Sequence, residues 1–190
     1  MARAPGFSLV ELLAALAVLG ALAFAAVQVA APSAEQRLGA AAQEIVHALR
    51  FAQAEALRTG RFHGADFSVD VSTGKRRVRV FRTDSATPPN PVYDVRHPLD
   101  KKLYEVRLDD IGATSGVDIS AAAFFYQSGA TILARDWAAF DAAGMPEYYP
   151  DPVPYAAISS PPNLSAVTLS YRGRTVQVLL GPLTGRVTWS

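Results

Sequence analysis

The carboxylate of Glu11 is the ionisable group whose position in the sequence most needs a chemical explanation. It lies at the front of a long apolar stretch, because residues 12–31 contain no charged side chain. A charge inside hydrocarbon costs about 3 kcal/mol or more unless a partner of opposite sign pairs with it. Glu11 therefore either stays outside the lipid or is neutralised by another group.

Residues that could form a catalytic or metal site do not occur at the required spacings. The three histidines, His47, His63 and His97, are scattered, and their separations match no metal-ligand pattern. Cysteine is absent, which excludes thiolate metal sites, thiol catalysis and disulfides. Asp109 and Asp110 are adjacent, so in a strand their side chains would point to opposite faces. The sequence thus predicts a protein that is not an enzyme and that has no metal site and no cofactor.

Two groups of basic residues could contact an anionic partner. Residues 75–82 contain five cations and no acid, and three arginines lie near the C-terminus. Contacts to a DNA backbone need only clustered Lys and Arg, so both groups are candidates for such contacts. The alternative, which we favour, is a solvated strand face, because the net charge of +1 argues against a surface built for nucleic acid. The candidate DNA-contacting residues are Arg76, Arg77, Arg79, Arg172, Arg174 and Arg186.

The apolar stretch is long enough to cross a bilayer, since about twenty helical residues at 1.5 Å each span roughly 30 Å. Three interpretations compete. A secretory signal has an apolar part of roughly 7–15 residues, which is shorter than this stretch. A plain membrane anchor explains the length but leaves Glu11 unexplained. The third interpretation rests on the residues that precede the stretch.

The segment Gly6–Glu11 (GFSLVE), followed at once by the apolar run, resembles the processing motif of type IV prepilins and pseudopilins. The resemblance implies that a membrane prepilin peptidase cuts between Gly6 and Phe7 and that Phe7 is then N-methylated. The leader would be residues 1–6. Arg3 supplies its positive charge, which would hold the leader on the cytoplasmic side.

The same resemblance gives Glu11 a role in assembly. In this family the corresponding glutamate is thought to pair with the terminal amine of a neighbouring subunit when helices pack into a filament. A carboxylate gains far more from a cationic partner in lipid than in water. A carboxylate that reaches back to the membrane interface is the alternative interpretation.

A helix must follow this motif, and a separately folded part must follow the helix. We predict a leader over residues 1–6, a transmembrane and assembly helix over residues 7–32 and a globular head over residues 33–190. The head comprises an amphipathic half-helix, residues 33–59, and a β part, residues 60–190. Composition allows such a core, since 50% of the residues are hydrophobic and 18% are charged.

The amphipathic half-helix is indicated by apolar residues such as Leu38, Ile45 and Leu49, which recur every three or four positions. The family resemblance implies one continuous helix of about fifty residues from Phe7, on the order of 75 Å long. Ser33 and Gln36 could instead form a capping box at the start of a new helix. Gly60 after Arg58 predicts the C-terminal end.

The remainder of the chain reads as antiparallel β-structure. Alternating residues predict a hairpin from strands at residues 65–71 and 77–82, joined by a turn at residues 72–75. Further strands are predicted over residues 102–108, 166–171 and 175–180. Proline-rich loops are predicted over residues 87–98 and 146–162. The fold class is thus α+β, a long N-terminal helix packed on an antiparallel β head as in pilins.

Two C-terminal segments resemble one branch of the family, the H-type minor pseudopilins and the FimT/FimU minor pilins. They are Phe140–Gly144 (FDAAG) and Leu180–Val187 (LGPLTGRV), whereas residues 83–135 match no motif. The resemblance implies a structural minor subunit of a type II secretion or type IV pilus system. Its partners would be other pilin or pseudopilin subunits, prepilin peptidase and inner-membrane lipid, with the head in the bacterial periplasm. A DNA-binding minor pilin for natural transformation is the alternative function.

Overall fold

The computed structural model shows an α+β chain that divides into two compact units, residues 1–33 and residues 34–190. The described residues are 8–29, 32–86, 89–149 and 156–190. Gly6 and Phe7, where processing is predicted, lie outside them. The second unit is called the head below.

The first unit contains one helix, α1 (Leu9–Val29). Within the described residues, no helix combines the length and the hydropathy that a bilayer-spanning segment requires. Pro32 and Ser33 are not helical. The prediction of one continuous helix through this point is therefore wrong. Proline lacks the amide hydrogen and clashes with the preceding turn, so a helix ends before it.

The head begins with helix α2 (Ala34–Thr59), which is followed by eleven strands in the described residues. The strands are β1 (His63–Asp66), β2 (Val78–Thr83), β3 (Pro91–Val92), β4 (Glu105–Val106), β5 (Asp118–Ser128), β6 (Thr131–Arg135), β7 (Trp137–Phe140), β8 (Ala156–Ile158), β9 (Ala166–Tyr171), β10 (Arg174–Leu180) and β11 (Val187–Trp189). Two short 3-10 helices, Leu108–Asp110 and Gly112–Thr114, precede β5.

The strands form two antiparallel sheets. In the first sheet the order is β3–β2–β1–β7, and β4 also pairs with β2. In the second sheet the order is β11–β10–β9–β5–β6, and β8 also pairs with β5. Helix α2 contacts β1, β2 and β7 of the first sheet and β9, β10 and β11 of the second.

Helix α2 buries one face along its length, as the apolar periodicity predicts. The buried residues are Leu38, Ala41, Ala42, Ile45, Val46, Ala48, Leu49, Ala52 and Ala56. More than half of them are alanines, and a side chain this small lets the helix backbone approach the strands closely. The large side chains that complete the core come mainly from the strands, among them Phe67, Phe124 and Tyr126.

The strand predictions are confirmed for two hairpins. Strands β1 and β2 pair antiparallel with Asp66 opposite Arg79, although β1 ends at Asp66 and only a bridge between Val69 and Arg76 continues the ladder. Strands β9 and β10 pair as expected. Arg172 and Gly173 form their turn with φ of 49° and 78°.

Other predictions are wrong in part. The strand expected over residues 102–108 is only the two-residue β4, and Asp109 and Asp110 lie in a 3-10 helix rather than in a strand. Both predicted loops contain a short strand, β3 in the first and β8 in the second. Strands β5 and β6 lie in the region that matched no motif, residues 83–135.

The two C-terminal segments that carry the family resemblance meet at the side chain of Gln53 on α2. Its Nε2 donates hydrogen bonds to the carbonyl oxygens of Gly144, at 2.7 Å, and Thr184, at 3.1 Å. Gly185 follows with φ of 63°, and a Cβ there would lie 2.5 Å from Gln53 Nε2 and 3.1 Å from the ring of Phe140. The close approach of these two loops to α2 therefore requires glycine at this position.

We expect Gly185→Ala to destabilise the head more than Gly129→Ala. Both glycines have left-handed φ, 63° and 57°, but a Cβ at Gly129 would meet nothing within 4 Å. The left-handed conformation costs an alanine about 1–2 kcal/mol at either site, and overpacking adds about 1–3 kcal/mol at Gly185. Urea denaturation of both variants measures the difference, and equal losses would contradict the proposed crowding at Gln53.

We also expect a chain that starts at residue 34 to fold as a soluble monomer, because the head has its own core. A chain that starts at Gly60 should aggregate, since loss of α2 exposes the faces of both sheets that it covers. Size-exclusion chromatography and circular dichroism of the two truncated chains test this. A soluble, folded chain from Gly60 would show that α2 is not part of the core.

Candidate assembly site

The first turn of α1 is organised by Ser8 and Glu11. The backbone N–H of Val10 donates to Ser8 Oγ at 3.2 Å, and the N–H of Ser8 lies 3.4 Å from Glu11 Oε2. This reciprocal arrangement is that of a capping box, in which Ser and Glu three residues apart satisfy amides that have no partner within the helix. The negative charge of Glu11 also lies at the positive end of the helix dipole.

The carboxylate of Glu11 has no cationic partner among the described residues of its own unit. Residues 8–33 contain no Lys, Arg or His, so Glu11 is the one charged side chain of the described part of this unit. A cationic partner must come from residues before Ser8, from the head or from another molecule. The amine that cleavage after Gly6 would create on Phe7 would lie directly before the capping serine.

Helix α1 presents apolar side chains in all directions, and those from Leu9 to Phe24 are exposed. Every side chain from Ser8 to Phe24 is exposed, from 57% at Leu12 to 76% at Leu9 among the large apolar residues. At 100° per residue, the exposed side chains of Leu9, Val10, Val18 and Leu19 lie at about 0°, 100°, 180° and 280° around the axis, so large apolar groups surround the helix. A surface of this size and composition marks a membrane or protein interaction site.

The first basic cluster does not form a free cationic face. Each of its five cations lies within 4 Å of a carboxylate, and these carboxylates come from other segments of the chain. The pairs are Lys75 with Asp109, Arg76 with Asp136, Arg77 with Asp70 and Glu105, Arg79 with Asp66, and Arg82 with Asp94. This surface therefore offers little positive charge to a phosphate backbone.

The Asp66–Arg79 pair is the most enclosed of these interactions. Asp66 is buried, and its carboxylate accepts hydrogen bonds from Arg79 at 2.6 Å and from the hydroxyl of Tyr93 at 3.0 Å. The guanidinium of Arg79 lies 3.9 Å from the centre of the Tyr93 ring. Burial, aided by the Asp66 carboxylate, raises the pKa of Tyr93 to about 12. These groups are occupied in holding β1, β2 and the β3 region together.

The second basic group is divided in the fold. Arg172 lies beside the ring of Tyr171 in the β9–β10 turn, and Arg174 forms an ion pair with Glu35 of α2. Arg186 lies beyond the other end of β10, a strand of seven residues that is about 20 Å long. The structure therefore does not bring all three arginines together.

The histidines also lie apart. His47 is exposed on α2, whereas His63 is buried and its Nδ1 lies 3.1 Å from the carbonyl oxygen of Arg61. Burial lowers the pKa of His63 below its usual value. His97 is half-buried and lies 3.5 Å from Asp100. In the part of the chain that the structure describes, no group of three His, Asp or Glu side chains could hold a metal ion.

We expect the protein to bind DNA weakly and to lose this binding at physiological salt, because carboxylates neutralise residues 75–82. Fluorescence anisotropy with a labelled double-stranded oligonucleotide, measured as salt is raised, tests this. A tight complex with a steep salt dependence that Arg76→Gln with Arg79→Gln abolishes would contradict it.

Comparison with known proteins agrees with the N-terminal geometry. Residues 1–27 match the family described as the prokaryotic N-terminal methylation motif. No curated protein and no solved structure matches the chain. The motif, followed by a helix that is apolar all round, supports a type IV pilin-like subunit that is made as a prepilin and processed.

Proposed function

We propose that the chain is a structural minor pilin or minor pseudopilin of a type II secretion or type IV pilus system. The observation that carries the proposal is the methylation motif at residues 1–27, which overlaps an apolar helix whose large side chains from Leu9 to Phe24 are exposed. The head, residues 34–190, is a separate compact α+β unit. Nothing in this arrangement requires a catalytic group.

The proposed sequence of events starts with a precursor in the bacterial inner membrane. Its leader, residues 1–6, lies on the cytoplasmic side, the membrane segment predicted over residues 7–32 crosses the lipid once, and the head lies in the periplasm. Prepilin peptidase cuts after Gly6, and Phe7 is methylated. Helix α1 then leaves the lipid and packs among the corresponding helices of other subunits, whose apolar side chains take the place of acyl chains.

Glu11 changes partners in this scheme. In the precursor its carboxylate caps the first turn through the Ser8 amide. After cleavage a positive amine on Phe7 lies at the same end of the helix, where the dipole is also positive and disfavours it. We propose that the Glu11 carboxylate of one subunit neutralises the Phe7 amine of the next, which also fixes the axial register between the two helices.

Membership of the minor-subunit branch is supported by the C-terminal half of the head. The two segments that resemble H-type pseudopilins and FimT/FimU pilins are far apart in sequence, yet Gln53 of α2 holds both of them. Their convergence on one residue gives both segments a common role in closing the head. A DNA-uptake function is less well supported, because the cations of residues 75–82 have carboxylate partners.

We expect Glu11→Gln to impair incorporation into filaments while α1 keeps its cap. Glutamine can still accept the Ser8 amide hydrogen bond, so this variant removes the charge and retains the hydrogen-bonding group. Glu11→Ala removes both. Immunoblots of sheared filaments and of membranes should show each variant in the membrane but depleted at least about tenfold in filaments.

Gly6→Val is the processing control, and it should leave an uncleaved precursor in the membrane. Normal incorporation of Glu11→Gln, together with loss of incorporation for Glu11→Ala, would assign Glu11 to capping and would overturn the pairing role. Normal incorporation of both variants would overturn any role for Glu11 in assembly.

A further inference from the structure

A basic cleft lies at the end of the head that is remote from the start of α2. It is an open depression with a volume of about 720 Å³, lined by the last turns of α2, the start of β1, Arg82 of β2, and the loop from Asp94 to Lys101. Helix α2 has 26 residues, which at 1.5 Å each place this end about 38 Å from Ala34 along the helix axis.

Three cations of the cleft have no carboxylate partner among the residues that the structure describes. Arg61 is exposed and makes no side-chain hydrogen bond in that part of the chain. Arg96 donates to the carbonyl oxygen of Lys101 at 2.8 Å, and Lys101 Nζ donates to that of Pro98 at 2.8 Å. These two cations are therefore held in place by neutral acceptors and keep their charge available.

Two further arginines of the cleft are paired, and their carboxylates remain on its wall. Arg82 forms a two-pronged contact with Asp94, at 2.7 and 2.6 Å. Arg58 pairs with Glu55 at 2.5 Å. The cleft thus carries five guanidinium or ammonium groups and two carboxylates, which is an excess of three positive charges. The positive groups are not continuous, because the two carboxylates lie among them.

The backbone conformation at Lys101 supports a role in binding for the loop from Asp94 to Lys101. Lys101 has φ of 59°, a left-handed conformation that costs a non-glycine residue about 1–2 kcal/mol. Residues in such conformations persist where the surrounding structure requires them and are frequent at binding sites. Here the conformation is fixed by hydrogen bonds from the Lys101 amide to His97 and from the His97 amide to Lys102.

The cleft also has apolar walls between its charges. Phe51, Val95 and Pro98 line it, and the ring of Phe51 is stacked on that of Tyr104, with centroids 5.0 Å apart. Phe51 is therefore a rigid apolar surface. An occupant that fits this lining presents separate negative charges with apolar groups between them.

We propose that this cleft binds an acidic peptide segment of another protein, with carboxylates at Arg61, Arg96 and Lys101 and an apolar side chain against Phe51. A nucleic acid fits less well, because its evenly spaced phosphates would be brought against Glu55 and Asp94. The proposal rests on the proposed function for one point. That point is the kind of partner, because a filament subunit meets other proteins through its head.

The test is fluorescence anisotropy of the full chain in nonionic detergent with a labelled hexapeptide of alternating glutamate and phenylalanine. A peptide with glutamine in place of glutamate is the matched probe. We expect the acidic peptide to bind at least about tenfold more tightly than the glutamine peptide, and Arg61→Gln with Lys101→Gln to remove most of that difference.

The control variant is Arg172→Gln with Arg186→Gln, which removes the same charge from two exposed positions outside the cleft. It also includes one left-handed residue, since Arg172 has φ of 49°. This variant should bind the acidic peptide within about twofold of the unmodified chain. Leaving Arg96 unchanged preserves its hydrogen bond to the loop, so both variants should fold, which circular dichroism checks.

Three results would overturn the proposal. They are equal binding of the two peptides, an equal loss in the control variant, and displacement of the acidic peptide by a single-stranded oligonucleotide that binds the cleft more tightly. The last result would assign the cleft to nucleic acid. None of these readouts depends on cleavage after Gly6, so failure here is distinct from failure of the proposed filament function.

Discussion

Helix α2 buries its alanine-rich face against strands of both sheets, and this contact makes one head out of two sheets. Strand β7 lies at one end of the first sheet and β11 at one end of the second. Both of these strands contact α2. The side chain of Gln53 extends the same contact to the loops around Gly144 and Thr184, so that residues more than ninety positions away in sequence are held by one carboxamide. Removing α2 would therefore expose both sheets at once.

Helix α1 follows the opposite rule, because its apolar surface is not used within the described fold. Its side chains from Ser8 to Phe24 are exposed, and the one charge among them is at the first turn. The capping signature of a serine and a glutamate three residues apart is visible in the sequence, but our two interpretations of Glu11 were an assembly role and a carboxylate that reaches back to the membrane interface. Capping of the helix and pairing with a neighbouring subunit both use a negative group at a helix N-terminus. Only the pairing requires a cation from the neighbour.

Sequence periodicity identified the parts of the head in which local pattern and tertiary structure agree. The β9–β10 hairpin has clear alternation and a turn with glycine, and it was predicted to within one residue. Strand β5 was missed because its register shifts between Ile119 and Ala121, which interrupts the alternation of inward and outward residues. The ion pairs of residues 75–82 could not be predicted, since carboxylates such as Asp136 come from distant segments. The basic cleft is also formed by segments that are distant in sequence, namely the end of α2 and the loop before Lys101. It therefore has no signature in the sequence.

The central claim is that the exposed helix α1 belongs to a processed, pilin-like subunit, and the intact mass of the mature protein tests it most directly. The protein would be purified from membranes of a bacterium that has a prepilin peptidase, and its N-terminal peptide would be sequenced by tandem mass spectrometry. The account predicts a chain that starts at Phe7 and carries one methyl group on its amine. A chain that starts at Met1, as for a plain membrane anchor, or at a residue after α1, as for a secretory signal, would contradict it.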